Sequence, residues 1–66
     1  MKARLFIGGQ EWCVMEISSA VTIKVPIAKS SREYFNLIFR YEGEKSYDGA
    51  KIFRLRGTED NVEIEI

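Results

Sequence analysis

Cys13 carries the one thiol of this chain, and the sequence holds no histidine that could activate it. A nucleophilic cysteine or serine needs a general base within hydrogen-bonding reach, and histidine is the usual one. Histidine is also the commonest side chain that binds metal ions in proteins. We therefore expect Cys13 to be a small apolar side chain on a strand, and we expect no metal site.

Two pairs of glutamates have a spacing that brings both carboxylates to one side of an extended segment. They are Glu42 with Glu44, and Glu63 with Glu65. Paired carboxylates of this kind can perform acid–base catalysis. Basic residues stand near both pairs in the sequence, however, so charge on a solvated surface explains them better than catalysis does.

The loop residues of the sequence match no cofactor motif. Asp48, Glu59 and Asp60 do not have the spacing of a calcium-binding loop. The pair Gly8-Gly9 lacks the further glycine and the helix start of a phosphate-binding loop. We therefore predict that the protein is not an enzyme and uses no cofactor.

Composition indicates one small soluble domain that spans residues 1–66. Hydrophobic residues make up 45% of the chain and charged residues 30%, which is typical of a globular domain rather than a disordered tail. Ten basic residues balance ten acidic ones, whereas a dedicated nucleic-acid binder usually carries a basic excess. A single cysteine excludes an internal disulfide, and this predicts a reducing, cytoplasmic location.

The first strands form around Gly8-Gly9. Two glycines between runs of β-branched and aromatic residues are typical of a two-residue hairpin turn, because such turns need positive φ. An unbroken ladder from this turn puts Leu5 opposite Trp12. We therefore expect Leu5, Trp12 and Val14 to share a buried face.

The next turn is predicted at Ser18-Ser19, so that a third strand would pair with the second and place Val14 opposite Ile23. Two turns would then agree on one apolar face, which is what a consistent register requires. Pro26 cannot donate a backbone hydrogen bond to a neighbouring strand. The third strand is therefore predicted to lie at the edge of the sheet.

The segment after Ser30 allows two interpretations. Ser30 and Glu33 have the spacing of a capping box, which would begin a helix near residues 31–42. Against this, the apolar residues of 34–41 alternate in the manner of a half-buried strand, except at Ile38, and good helix formers are few. We favour the strand.

The C-terminal part is predicted to form a hairpin. Asp48-Gly49 indicates a turn before residues 50–56, and residues 57–60 are expected to form a loop that leads into a last strand. In that register Leu55 would face Val62, and Arg54 would face Glu63.

Together these elements predict an all-β fold: a small antiparallel barrel or two-sheet sandwich of five to six short strands. The alternative that keeps the helix is a β-β-β-α-β-β order, which matches OB-like barrels in order alone and therefore gives no functional argument.

The function that we expect is that of an intracellular protein-interaction module, which acts as an adaptor or inhibitor by occupying a partner's surface. The hypothesis depends on the second face of the first hairpin, where apolar groups stand among charged ones. The partner is expected to be another protein or a second copy of this chain, and no membrane is involved. The expected partner-binding residues are Arg4, Phe6, Glu11, Cys13, Met15 and Lys24.

The alternative function is binding of single-stranded nucleic acid. Basic side chains and tyrosines lie close together in the second half of the sequence, and both are components of a stacking surface within a charged groove. The residues concerned are Arg40, Lys51, Arg54 and Arg56, with Tyr34, Tyr41 and Tyr47.

Overall fold

The computed structural model describes the backbone of residues 1–63 and the side chains of residues 1–60, and it contains five strands in this part of the chain. The strands are β1 (Lys2–Ile7), β2 (Gln10–Glu16), β3 (Thr22–Ala28), β4 (Glu33–Lys45) and β5 (Lys51–Glu63). The all-β prediction is confirmed. The helix near residues 31–42 does not form, and a strand occupies that segment.

Ser30 shows why the capping-box pattern was ambiguous. Its hydroxyl accepts hydrogen bonds from the backbone N–H groups of Arg32 at 3.4 Å and Glu33 at 3.2 Å. Serine side chains make such bonds in tight turns as well as at helix starts. Here the serine caps the turn between β3 and β4.

The strands form one sheet in the order β2-β1-β5-β4-β3. The pairs β1–β2, β3–β4 and β4–β5 are antiparallel, as predicted, but β1 and β5 are parallel, a pairing that the prediction did not include. The last strand returns to the middle of the sheet and joins the two preceding hairpins. The predicted hairpin between β2 and β3 is also wrong, because these strands lie at opposite edges.

The sheet curls strongly into a half-barrel. Trp12 on β2 and Phe39 on β4 are three strands apart in the sheet, which in a flat sheet means about 14 Å. Their ring centroids are nevertheless only 5.7 Å apart. Residues 17–21 connect the two edge strands at one end, so the open side of the half-barrel lies between β2 and β3.

A β-bulge at Trp12 changes which side chains of β2 point inward. The turn at Gly8-Gly9 forms as predicted, with Gly8 at a φ of 65° and Phe6 opposite Glu11. The next residue, Leu5, pairs with Cys13 instead of Trp12, because the bulge adds one residue to β2. Every later residue of β2 is thereby turned to the face opposite to the predicted one.

The core lies on the concave face of the sheet. Ala3, Leu5, Phe39 and Phe53 are fully buried and form one cluster. Partly buried side chains from β2, β3, β4 and β5 and from the segment after β2 pack around it: Cys13, Met15, Ile17, Ile23, Val25, Leu37, Tyr41 and Leu55. So small a core offers limited burial, as expected for a domain of this size.

The hairpin formed by β4 and β5 differs in part from its prediction. The turn at Asp48-Gly49 is confirmed, with Gly49 at a φ of 85°. The predicted loop at 57–60 is wrong, because β5 continues through it to Glu63. Leu55 consequently pairs with Phe39 rather than with Val62, and Arg54 pairs with Arg40 rather than with Glu63.

Candidate functional site

The six predicted partner-binding residues do not form one surface. Arg4, Phe6 and Glu11 share the outer face of the first hairpin, as expected. Cys13 and Met15 pack against the core instead, so their assignment to that outer face is wrong. Lys24 lies on β3, at the opposite edge of the sheet, where it forms an ion pair with Glu59 at 2.9 Å. A role of any of these residues in partner binding stays a prediction.

Burial also explains the chemistry of Cys13. Loss of hydration raises the pKa of its thiol, and the nearby Glu11 carboxylate raises this pKa further. A thiol with a raised pKa is a poorer nucleophile at neutral pH. Cys13 therefore contributes packing to the concave face rather than reactivity.

Arg4 connects the hairpin of β1 and β2 to the turn between β4 and β5. Its guanidinium donates to Glu11 at 2.7 Å and to Asp48 at 2.7 Å, and it lies 6.0 Å from the ring centroid of Tyr47. These bonds, with Asp48 first, raise the pKa of Arg4. A cation held by two carboxylates of its own chain stabilises the fold. Arg4 is therefore poorly suited to bind a partner, because its charge is already paired.

Phe6 is covered by another cation. The guanidinium carbon of Arg54 lies 5.5 Å from the centroid of the Phe6 ring, and Glu44 holds the same arginine at 2.8 Å. Phe6 is half-buried in this arrangement. Its ring is therefore accounted for by a cation–π contact within the chain.

The outer edge of β2 presents the apolar surface that the sequence did not indicate. Trp12 and Val14 on β2 are 43% and 42% exposed, and Ile7 at the end of β1 is 37% exposed; we call these three residues the β2 strip. Trp12 stacks on Phe39 with an angle of 9° between the rings, which leaves its other side open. Ile7 and Trp12 also line an open groove of about 340 Å³ together with Gln10 and Glu11.

The backbone along this edge also has no partner strand within residues 1–63. The N–H of Ile17 donates to the carbonyl of Met1 at 2.8 Å, and residues in an antiparallel pair alternate between bonding inward and pointing outward. Cys13 and Met15 therefore bond to β1. The N–H and C=O groups of Val14 and Glu16 point away from it, toward the open side of the half-barrel.

The opposite edge, β3, is protected against the same kind of pairing. The N–H of Tyr41 donates to the carbonyl of Val21 at 2.9 Å, so the alternate residues of β3 face outward, and Pro26 is one of them. Proline has no N–H to offer there. Edge strands commonly use proline in this way to prevent unwanted strand addition.

A second open groove, of about 420 Å³, lies on the outer face of β3 and β4. Pro26, Ala28, Tyr34 and Asn36 line it. None of these four side chains carries a charge at neutral pH, and the groove lies beside the protected edge. We assign it no chemistry.

The residues of the nucleic-acid hypothesis are dispersed. Arg54 and Arg56 form ion pairs with Glu44 at 2.8 Å and Glu42 at 2.9 Å. The Glu63 side chain and the whole of Glu65 lie outside the described part of the chain.

The tyrosines do not combine into one stacking surface. Lys51 lies 4.8 Å from the ring centroid of Tyr41, and Tyr41 packs against the core. Tyr47 is 98% exposed in the turn between β4 and β5, whereas Tyr34 lines the groove beside Pro26. Successive bases could not stack on rings that lie in three separate places.

Comparison of the chain with protein-family models, with curated proteins and with solved structures found no match. Within residues 1–63, no helix has the length and apolar character needed to cross a membrane.

Proposed function

We propose that this protein is a protein-interaction module that binds an extended segment of a partner chain along the free edge of β2, and acts as an adaptor or inhibitor by covering that segment. One observation carries the proposal: the β2 strip lies beside backbone groups that have no partner strand in the part of the chain that the structure describes. Strand addition uses such groups for affinity and alternate side chains for specificity.

Trp12 is suited to be the anchor of the contact. Its ring is already held against Phe39, so little conformational freedom would be lost when a partner covers the exposed side. Tryptophan is also enriched among the residues that dominate binding energy. Val14 adds an apolar side chain at the place where the backbone offers its hydrogen bonds.

The test is affinity capture from an extract of the native host, using the immobilised protein and two variants of equal chemistry. Val14→Lys puts a charge on the β2 edge. Val21→Lys makes the same change at a residue that is 60% exposed beside β3. We expect the native chain and Val21→Lys to capture the same partner and Val14→Lys to lose it, while circular dichroism shows all three folded. Equal capture by both variants would refute the assignment to β2.

One observation supports the alternative function, binding of single-stranded nucleic acid, and it concerns Arg40 and Arg54. They lie directly opposite each other on β4 and β5, so two positive charges are adjacent on the sheet. We nevertheless expect no appreciable affinity for a fluorescent single-stranded oligonucleotide at physiological salt. Binding that weakens steeply with salt and is lost in Arg54→Ala would replace the protein-interaction hypothesis.

A further inference from the structure

We propose that β2 also pairs with β2 of a second copy of this chain, in an antiparallel arrangement with a two-fold axis at Val14. The inference rests on the proposed function, because it uses the same edge. A two-fold contact brings one surface against itself, so the edge must be complementary to itself. The backbone groups, the apolar side chains and the charges of β2 each meet this condition.

The backbone is complementary to itself because the N–H and C=O groups of Val14 point to the open side of the half-barrel. In an antiparallel pair, two residues whose groups face each other exchange both hydrogen bonds. With the axis at Val14, its N–H donates to the carbonyl of Val14 in the second copy, and the reverse bond forms as well. The free edge of β3 could not do this at Pro26, which lacks the donor.

The side chains are complementary to themselves because apolar groups face one another at the centre of this register. Val14 faces its own copy on the outer side, and Cys13 faces Met15 on the inner side. The concave apolar face of one half-barrel would thus continue into that of the next. Apolar cross-strand pairs of this kind stabilise sheets.

The charges of β2, together with its apolar side chains, favour this register over its neighbours. The strand carries two glutamates, Glu11 and Glu16, and no cation. With the axis at Val14, Glu16 faces Trp12 of the second copy, and neither glutamate faces another. With the axis at Met15, Glu16 would face Val14, so the central pair of valines would be lost. With the axis at Glu16 two carboxylates would meet, which is destabilising.

The first test is sedimentation of the native protein over a concentration series. We expect a mass that rises from 7.6 kDa toward twice that value. We expect Val14→Lys to remain monomeric and folded, because lysine beside a free edge opposes pairing. Val21→Lys should associate as the native chain does. A chain that stays monomeric at every concentration, or a dimer that Val14→Lys does not disturb, overturns the inference.

The second test measures the register by a disulfide in a Cys13→Ala background. Val14→Cys should form a covalent dimer under mild oxidation, because opposed residues in a hydrogen-bonded pair are about 5.5 Å apart, within disulfide reach. Glu16→Cys is the control and should not form one, because it would face Trp12 of the second copy. Equal yields for the two variants overturn the register.

The two proposals can fail separately. A protein that is monomeric throughout, yet loses its captured partner in Val14→Lys, refutes the self-pairing and leaves the proposed function standing. A dimer that depends on Val14, with no partner captured from the extract, supports the self-pairing and refutes the binding of another protein.

Discussion

Trp12 has two roles at the scale of single residues. It is the extra residue of the bulge in β2, and its ring lies over Phe39 at the open side of the half-barrel. The sequence alone suggests a core tryptophan. In the structure it is 43% exposed, and the fully buried aromatic residues are Phe39 and Phe53.

We therefore expect Phe39→Ala to destabilise the protein more than Trp12→Ala does. Removal of a fully buried phenylalanine costs about 3–5 kcal/mol, which is enough to unfold many domains of this size. Trp12→Ala should cost on the order of 1–3 kcal/mol, since it removes partial burial and one aromatic stack. Thermal melts of both variants give the ranking, and the reverse order would mean that Trp12 belongs to the core.

Asp48 should determine part of the pH dependence of stability. The pKa of its carboxyl is lowered, chiefly by Arg4, then by Ser46 and by the N–H of Ala50. A group with a lowered pKa in the folded protein stabilises it above the pKa of the unfolded chain, about 3.9. This stabilisation is lost as the pH falls from there through the lower pKa of the folded protein.

The variant Asp48→Asn should therefore be less stable than the native protein at neutral pH, with a difference that shrinks in acid. Urea unfolding midpoints at pH values from neutral to about 2 measure this. Asp60→Asn is the control, because its exposed ion pair with Lys29, at 3.4 Å, is expected to contribute little. An undiminished difference in acid would argue against the Arg4–Asp48 contact.

At the scale of elements, the bulge in β2 makes neighbouring residues respond in opposite ways. Val14 is 42% exposed on the outer side, whereas Met15 packs against the core. We expect Val14→Glu to leave the protein folded and Met15→Glu to unfold it, because the second change buries a charge with no partner. Far-UV circular dichroism and a thermal melt distinguish the two. An unbroken ladder would predict the opposite result, so this pair of variants tests the bulge directly.

At the scale of the whole molecule, β5 joins two hairpins that have no other strand in common. It pairs with β1 on one side and with β4 on the other. The sheet therefore cannot assemble before the last strand is in place. Contacts between strands so distant in sequence also make folding slow, in the range of milliseconds to seconds for sheets of this kind.

A chain that ends at Ala50 should consequently be unfolded. It keeps both hairpins but lacks β5, and with it Phe53 of the core cluster. Isolated two-stranded hairpins are at best marginally stable in water. Circular dichroism of the fragment, compared with that of the full chain, should show no cooperative thermal transition. A cooperative melt would mean that the hairpins associate without β5.

The candidate site was only partly accessible from the sequence. Exposure of the β2 strip and its unpaired backbone depend on where β2 lies in the sheet, and no local pattern specifies that position. The choice of Phe6, Cys13 and Met15 as one face followed from an unbroken ladder. A single inserted residue in β2 separates Phe6 from the other two.

The sequence by itself determined the features that depend on near neighbours. These are the turn at Gly8-Gly9, the turn at Asp48-Gly49, the alternation of residues 34–41 as a strand, and the position of Pro26 on an edge strand. Each follows from the backbone preferences of a few residues, or from a missing N–H, and needs no distant partner.

Only the tertiary structure decided the bulge at Trp12, the continuation of β5 through residues 57–60, and the parallel pairing of β1 with β5. The physical reason is the same for all three. A strand's neighbours and register are selected by the burial of side chains that lie far apart in the sequence, here Leu5 beside Phe53 and Phe39 beneath Trp12. Local propensity does not contain that free energy, so the free edge of β2 appears only once the sheet has closed around its core.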